Sequence, residues 1–233
     1  MSKHSLSGLR VAAITVASAC LLAVAAGPVS ADTAPGGDAT FTQNGTSAQA
    51  YAGTCVANGD DTETCINQQI SAFAGKLTDS GAGVIHASQV CVDLSSYTYS
   101  TVTGDFVGTP IYESGCRVDV PSGALRLDSK LASATLAAVT VSVTGYDCNE
   151  YECVPGSSRD VTAAATWTGF GPINQSKDRS TSDDEACRVS SSSKGSVRAA
   201  SVTGVVDGHA LDEKAFGELS AGRSSFRSRC VEG

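Results

Sequence analysis

The sequence predicts an all-β fold: a disulfide-stapled antiparallel β-sandwich, immunoglobulin-like or related, of about ten strands. Three observations carry this. Val139, Val141 and Val143 alternate with Thr140, Ser142 and Thr144, and Val161, Ala163, Ala165 and Trp167 repeat the pattern. Period two is the signature of a half-buried strand, because successive side chains point to opposite faces. Turn-rich stretches such as "NGDD", "TGD", "PSG" and "PGSS" recur at short intervals between such segments, as they do in sandwiches and barrels. Finally, eight cysteines follow an export signal, and an even number in an exported chain implies disulfides.

The export signal comes first. Lys3 and Arg10 give a basic start, "VAAITVASACLLAVAA" is uncharged, and "GPVSA" supplies small residues for cleavage. That order marks residues 1–31 as a secretory signal peptide. "DTAPGGDAT" carries no basic stop-transfer residue, so no membrane association is expected after cleavage. Residues 32–39 are expected to form a flexible arm and residues 40–233 a single β-sandwich domain, secreted and extracellular. Loss of Lys3 and Arg10 takes the net charge from −8 to −10. An acidic surface repels phosphate backbones, which argues against nucleic acid as a partner.

Within the domain, strands are predicted in "ATFTQ", "SAQAYAG", "INQQISAFAGKL", "VIHASQVCVDL", "VGTPIYESGCRVDV", "ALRLDS", "CRVSSSS", "SVRAASVTGVV" and "SSFRSRCV". One short helix is expected near "LDEKAFGELS". "GFGPINQSKDRSTSDDEA" lacks apolar alternation and reads as a surface loop or a pair of weak edge strands.

Hairpin geometry suggests the cysteine pairing. If Thr103 and Gly104 form a two-residue loop, opposed residues have numbers summing to 207, as 91 and 116 do. Cys91 then faces Cys116. Cys55 and Cys65 bracket a turn-rich tip, Cys148 and Cys153 bracket "NEYE", and Cys187 and Cys230 remain to tie the last strand to the sheet. "DCNEYEC" is therefore read as a stapled loop. A zinc site would need further ligands at matching spacing, and a redox pair would be C-x-x-C near a helix start. No metal and no cofactor is expected.

Catalytic motifs are absent from the sequence. "SSSK" at Ser191–Lys194 matches S-x-x-K, but the accompanying elements of the penicillin-recognising enzymes are missing. A serine triad would have to use His86 or His209, which read as structural or exposed. Glu150 and Glu152 are the acid pair a hydrolase could use. Two groups suit binding instead. The 207 register puts Tyr97, Tyr99 and Tyr112 on the face carrying Cys91–Cys116, as a platform or as core rings. Lys177, Asp178 and Arg179 stand together in the long polar stretch.

"CVDLSSYTYS", "LASATLAAVTVSV", "RDVTAAATWTGFGP" and "DRSTSDDEACR" resemble a group of exported all-β proteins of high-GC Gram-positive bacteria. That group has no assigned activity, so the resemblance implies secretion and an all-β fold and transfers no catalytic residue. The C-x9-C and C-x4-C spacings are similar to those of the apoproteins that carry enediyne antibiotics, which are acidic, immunoglobulin-like sandwiches. This implies a shared way of stapling hairpins and keeps small-ligand binding in view.

The function expected is a secreted, non-catalytic binding or cell-surface interaction module for an extracellular glycan, peptide or small molecule. The alternatives are a small-ligand carrier with a cleft between sheets and a carboxylate-dependent hydrolase.

Overall fold

The structure, a computed structural model, describes residues 39–81, 83–121, 123–148, 153–183, 187–211 and 215–230, apart from the side chains of Cys187 and Cys230. It contains β1 (Ala39–Ala57), β2 (Thr62–Asp79), β3 (Gly83–Ser100), β4 (Ile111–Val118), β5 (Leu125–Leu127), β6 (Ser133–Cys148), β7 (Cys153–Gly169), β8 (Asn174–Asp183), β9 (Cys187–Val206), β10 (His209–Leu211) and β11 (Phe216–Cys230). The all-β, antiparallel, disulfide-stapled class is what the sequence predicts. The signal peptide and the arm up to residue 38 lie outside the described residues.

The layering differs from two separate sheets. Pairing runs β9–β11–β1–β2–β3–β4–β6–β7 and returns to β9. Eight strands thus form one closed ladder around a core, as in a barrel. β9 is divided between two neighbours: Ala200–Val206 pair with β7, whereas Arg188–Val197 pair with the edge strand β8. The ring therefore closes along only part of β9. Beyond it, β8, β9, β11, β1, β2 and β3 continue as an open sheet.

The alternation seen in sequence fills the ring. Val141, Val143, Val161, Ala163, Ala165 and Trp167 are all buried, facing Ala48, Ala50, Ile70, Ala72, Val90 and Val92 from the other strands. Trp167 is fully buried, and its Nε1 donates to the Gln49 carbonyl at 2.7 Å.

Segments that read as separate short strands are fused. "ATFTQ" and "SAQAYAG" are both β1, and "CRVSSSS" and "SVRAASVTGVV" are both β9. The interrupting glycines, Gly45 and Gly195, align across the sheet with Gly75 and Gly222, in the order Gly75, Gly45, Gly222, Gly195. A Cβ on Gly75 would stand 2.6 Å from the Asn44 carbonyl, and one on Gly45 2.8 Å from that of Ala74. These glycines permit close backbone approach inside the strands instead of ending them. Gly75→Ala is expected to cost about 1–3 kcal/mol, the usual penalty of overpacking. Urea unfolding reads this directly, and an unchanged midpoint would mean that the sheet yields at this row.

The helix expected near residues 211–220 is a strand where it is described. Ala215, Gly217 and Leu219 are buried alternately, and Gly217 packs so closely that a Cβ would strike Val202. Burial on every second residue overrides the local helix preference of Leu, Glu, Lys and Ala.

Cys55–Cys65, Cys91–Cys116 and Cys148–Cys153 are disulfides, each with Cα atoms 4.0 Å apart. Cys187 is opposite Cys230 in the β9–β11 register. The Cys91–Cys116 register arises by a different route from a two-residue turn. At the tip, Ser100 N–H donates to Asp105 O at 2.9 Å and Val107 N–H to Thr98 O at 2.8 Å. The loop is thus Thr101–Gly104, two positions out of step. A break around Gly108, at φ 80°, absorbs two residues before Ile111 meets Ser96. The two offsets cancel.

Candidate anion-binding site

On β1, Ala48 and Ala50 face the core, and Thr46, Asn44, Thr42 and Thr40 continue the same face beyond the ring. The equivalent continuation from the core gives Lys76 on β2, His86 on β3, Arg223 on β11 and Lys194 on β9, with Lys177 added by β8. One sheet face therefore turns from apolar to cationic along its strands.

Register brings these residues into line. Lys177 is opposite Lys194, Lys194 opposite Arg223, Arg223 opposite Asn44, Asn44 opposite Lys76, and Lys76 opposite His86. All six are exposed. With Arg179, Arg227 and the Ser129 loop they line an open hollow of about 1070 Å³. Among the described residues, the one acid on this face is Asp183, at the far end and 3.3 Å from Arg188. None of Lys76, Lys177, Lys194 and Arg223 joins an ion pair among the described residues. Like charges directly opposite on neighbouring strands are destabilising, and Lys177 against Lys194 and Lys194 against Arg223 are two such pairs.

Lys177 and Arg179 thus belong to the hollow, on an edge strand, the second of the two readings of this stretch; β8 is paired with β9 along its whole length. Asp178 points to the opposite face by strand alternation and borders the hollow at its rim. Lys76 and Arg223 do not stand out in sequence, because each is a lone cation among small residues, and Lys194 draws notice there only as the lysine of "SSSK". His86 draws notice there only as a candidate triad base, and here it is exposed.

Tyr97, Tyr99 and Tyr112 are on the face opposite buried Val90 and Val92, so they lie outside the core. They form two groups. The Tyr97 ring is 6.4 Å from Tyr99 and 5.7 Å from Phe106. The Tyr99 hydroxyl donates to Glu63, which pushes its pKa up. Tyr112 instead pairs across to Tyr146 and, with Tyr51, borders a smaller hollow of about 310 Å³ floored by Asn67, Gln69, Asp93 and Ser114.

Two carboxylates elsewhere are held by one arginine. Arg159 donates to Glu113 at 2.5 and 2.7 Å and to Asp207 at 2.7 and 2.9 Å, joining β4, β7 and the β9–β10 turn. The guanidinium holds the Asp207 carboxyl below its ordinary value near 3.8. A depressed carboxylate pKa adds stability that is present above the unfolded value and lost as pH falls through the folded one. Asp207→Asn should therefore flatten the loss of stability below about pH 4, small in size because the pair is partly exposed. Matching acid unfolding curves for the two proteins would remove Asp207 from the account.

Glu150 and Glu152 lie outside the described residues. Among the described residues, no group of three or more His, Cys, Asp or Glu could hold a metal, and no helix is long and apolar enough to cross a membrane. No family model, curated protein or solved structure matches the chain.

Proposed function

We propose that the chain is an exported, non-catalytic binding module that takes an anionic ligand on the open sheet beyond its ring. The observation that carries this is the row of Lys177, Lys194, Arg223, Lys76 and His86 across adjacent strands. In a chain of net charge −8, placing like charges opposite one another on a face with one acid among the described residues lowers stability. That is the trade expected of a binding surface. Export is supported by the leader-like N-terminus and by three disulfides. The carrier alternative needs an enclosed apolar cavity, whereas both hollows are open and border on charged or polar side chains.

The test is binding of the oxidised chain to an immobilised carboxylated polysaccharide beside its neutral counterpart. Retention should require the carboxylates and weaken with salt. Lys194→Glu with Arg223→Glu should weaken it more than tenfold, whereas Tyr112→Ala, on the other face, should leave it unchanged. Equal retention on the neutral polymer would overturn the reading.

A further inference from the structure

We infer that the occupant of the cationic face is a linear acidic polysaccharide, a uronate-type chain with one carboxylate per sugar, lying across the strands. This rests on the anion-binding reading above and concerns the shape of the ligand. The cations are arranged as a line and not as a cup. Lys177, Lys194, Arg223, Asn44, Lys76 and His86 occupy one position on each of six successive strands. Neighbouring strands are about 4.8 Å apart, so the line extends for roughly 24 Å.

A single small anion could touch two or three of these side chains and would leave the others repelling one another. A chain with a negative charge at each step of about one strand spacing would meet every cation at once. That step is close to the length of one sugar unit in an extended polymer. The break at Asn44 offers an amide in mid-line, a donor and acceptor for a sugar hydroxyl.

The flank of the line fits the same occupant. Two residues along each strand, the row beside it contains Arg179, Ser192, Ser225, Thr42 and Thr78, and ends at the exposed Val84. Four hydroxyls, two of them (Ser192 and Ser225) hydrogen-bonded to each other at 2.8 Å, and one cation form a polar shelf suited to a hydroxylated chain. Among the described residues, strand alternation places no Phe, Tyr or Trp on this face, and Phe226, on the opposite face of β11, only borders the hollow; proteins that hold single-stranded nucleic acid stack its bases on several aromatic rings. The chain's overall negative charge also disfavours a bulky, densely charged duplex.

The experiment is calorimetric titration of the oxidised chain with galacturonate oligomers of increasing length, at low and moderate salt. Affinity should rise with length and level off at about five or six units, where the oligomer covers the line. Removing the end cation with Lys177→Gln should move the plateau to a shorter oligomer. Removing the central one with Arg223→Gln should weaken every oligomer that reaches it and lower the log–log salt slope by about one. Both substitutions relieve repulsion, so both variants should melt at or above the parent temperature, which separates lost binding from lost folding.

Galacturonate monomer binding as tightly as the hexamer would overturn the linear occupant and leave the anion-binding function standing. Tighter binding of single-stranded DNA or polyphosphate of matched charge would overturn the polysaccharide. No binding of any of these at low salt would remove the function and the inference together.

Discussion

Replacing Trp167 by alanine is expected to lower stability by about 3–5 kcal/mol, the upper range for a buried large-to-small change. The size follows from its position. Trp167 is fully buried on β7, at the seam where the ring closes, opposite Ala134 on β6 and Val202 on β9. Its indole N–H reaches across to the Gln49 carbonyl on β1. Gly217 is 3.2 Å from the ring at the point where a Cβ would stand. With alanine and glycine beside it, the site has few flexible side chains that could collapse into the space. The cavity should therefore remain, and its cost with it. Trp167→Phe keeps most of the volume and forfeits the hydrogen bond, so a smaller loss of about 1–2 kcal/mol is expected. Because this is the sole tryptophan, unfolding should be followed by far-ultraviolet circular dichroism in urea. A loss below about 1 kcal/mol for the alanine variant, well under the usual range, would mean that the seam repacks freely.

Much of this core is legible in the sequence, because residues 139–143 and 161–167 alternate without interruption and burial follows that alternation. Ring closure is not legible. It depends on seven residues of β7 pairing with β9, and neither segment contains a local signal that names its partner. Strand lengths are misread at glycine for a related reason. From sequence, Gly45 and Gly195 look like breaks, yet their role is to admit the neighbouring backbone, a property of the sheet and not of the segment. The stretch around Phe216–Ser220 shows propensity yielding to packing.

The binding face is legible only in part, again because register creates it. "SKDR" attracts attention since two cations stand close together in a serine-rich stretch. Lys76, Lys194 and Arg223 are separated by up to 147 positions in the chain and become members of a single line only after three strand pairings are known. No inspection of composition could find them, since the whole chain is acidic. The tyrosines teach the converse. Tyr97, Tyr99 and Tyr112 share a face as the register implies, but the break near Gly108 and the width of the sheet keep Tyr112 with Tyr51 and Tyr146.

Serine substitution of the disulfide pairs, one pair at a time, should rank their contributions by loop length. Cys91–Cys116 has a sequence separation of 25, Cys55–Cys65 of 10 and Cys148–Cys153 of 5. Restricting an unfolded chain over such loops contributes about 3.5, 2.7 and 2.1 kcal/mol respectively. All three bridges join directly opposed residues of adjacent antiparallel strands, so their native surroundings are alike and the unfolded chain should decide the order. Cys187 and Cys230, opposed in register and further apart in sequence, would rank above all three if joined, and a peptide map of the unreduced protein should contain that link. Chemical denaturation of the paired variants measures the ranking. Equal losses would indicate that the bridges act by holding the native strands together. A larger loss for Cys148–Cys153 would locate a folding constraint at the β6–β7 turn, next to the strand that closes the ring.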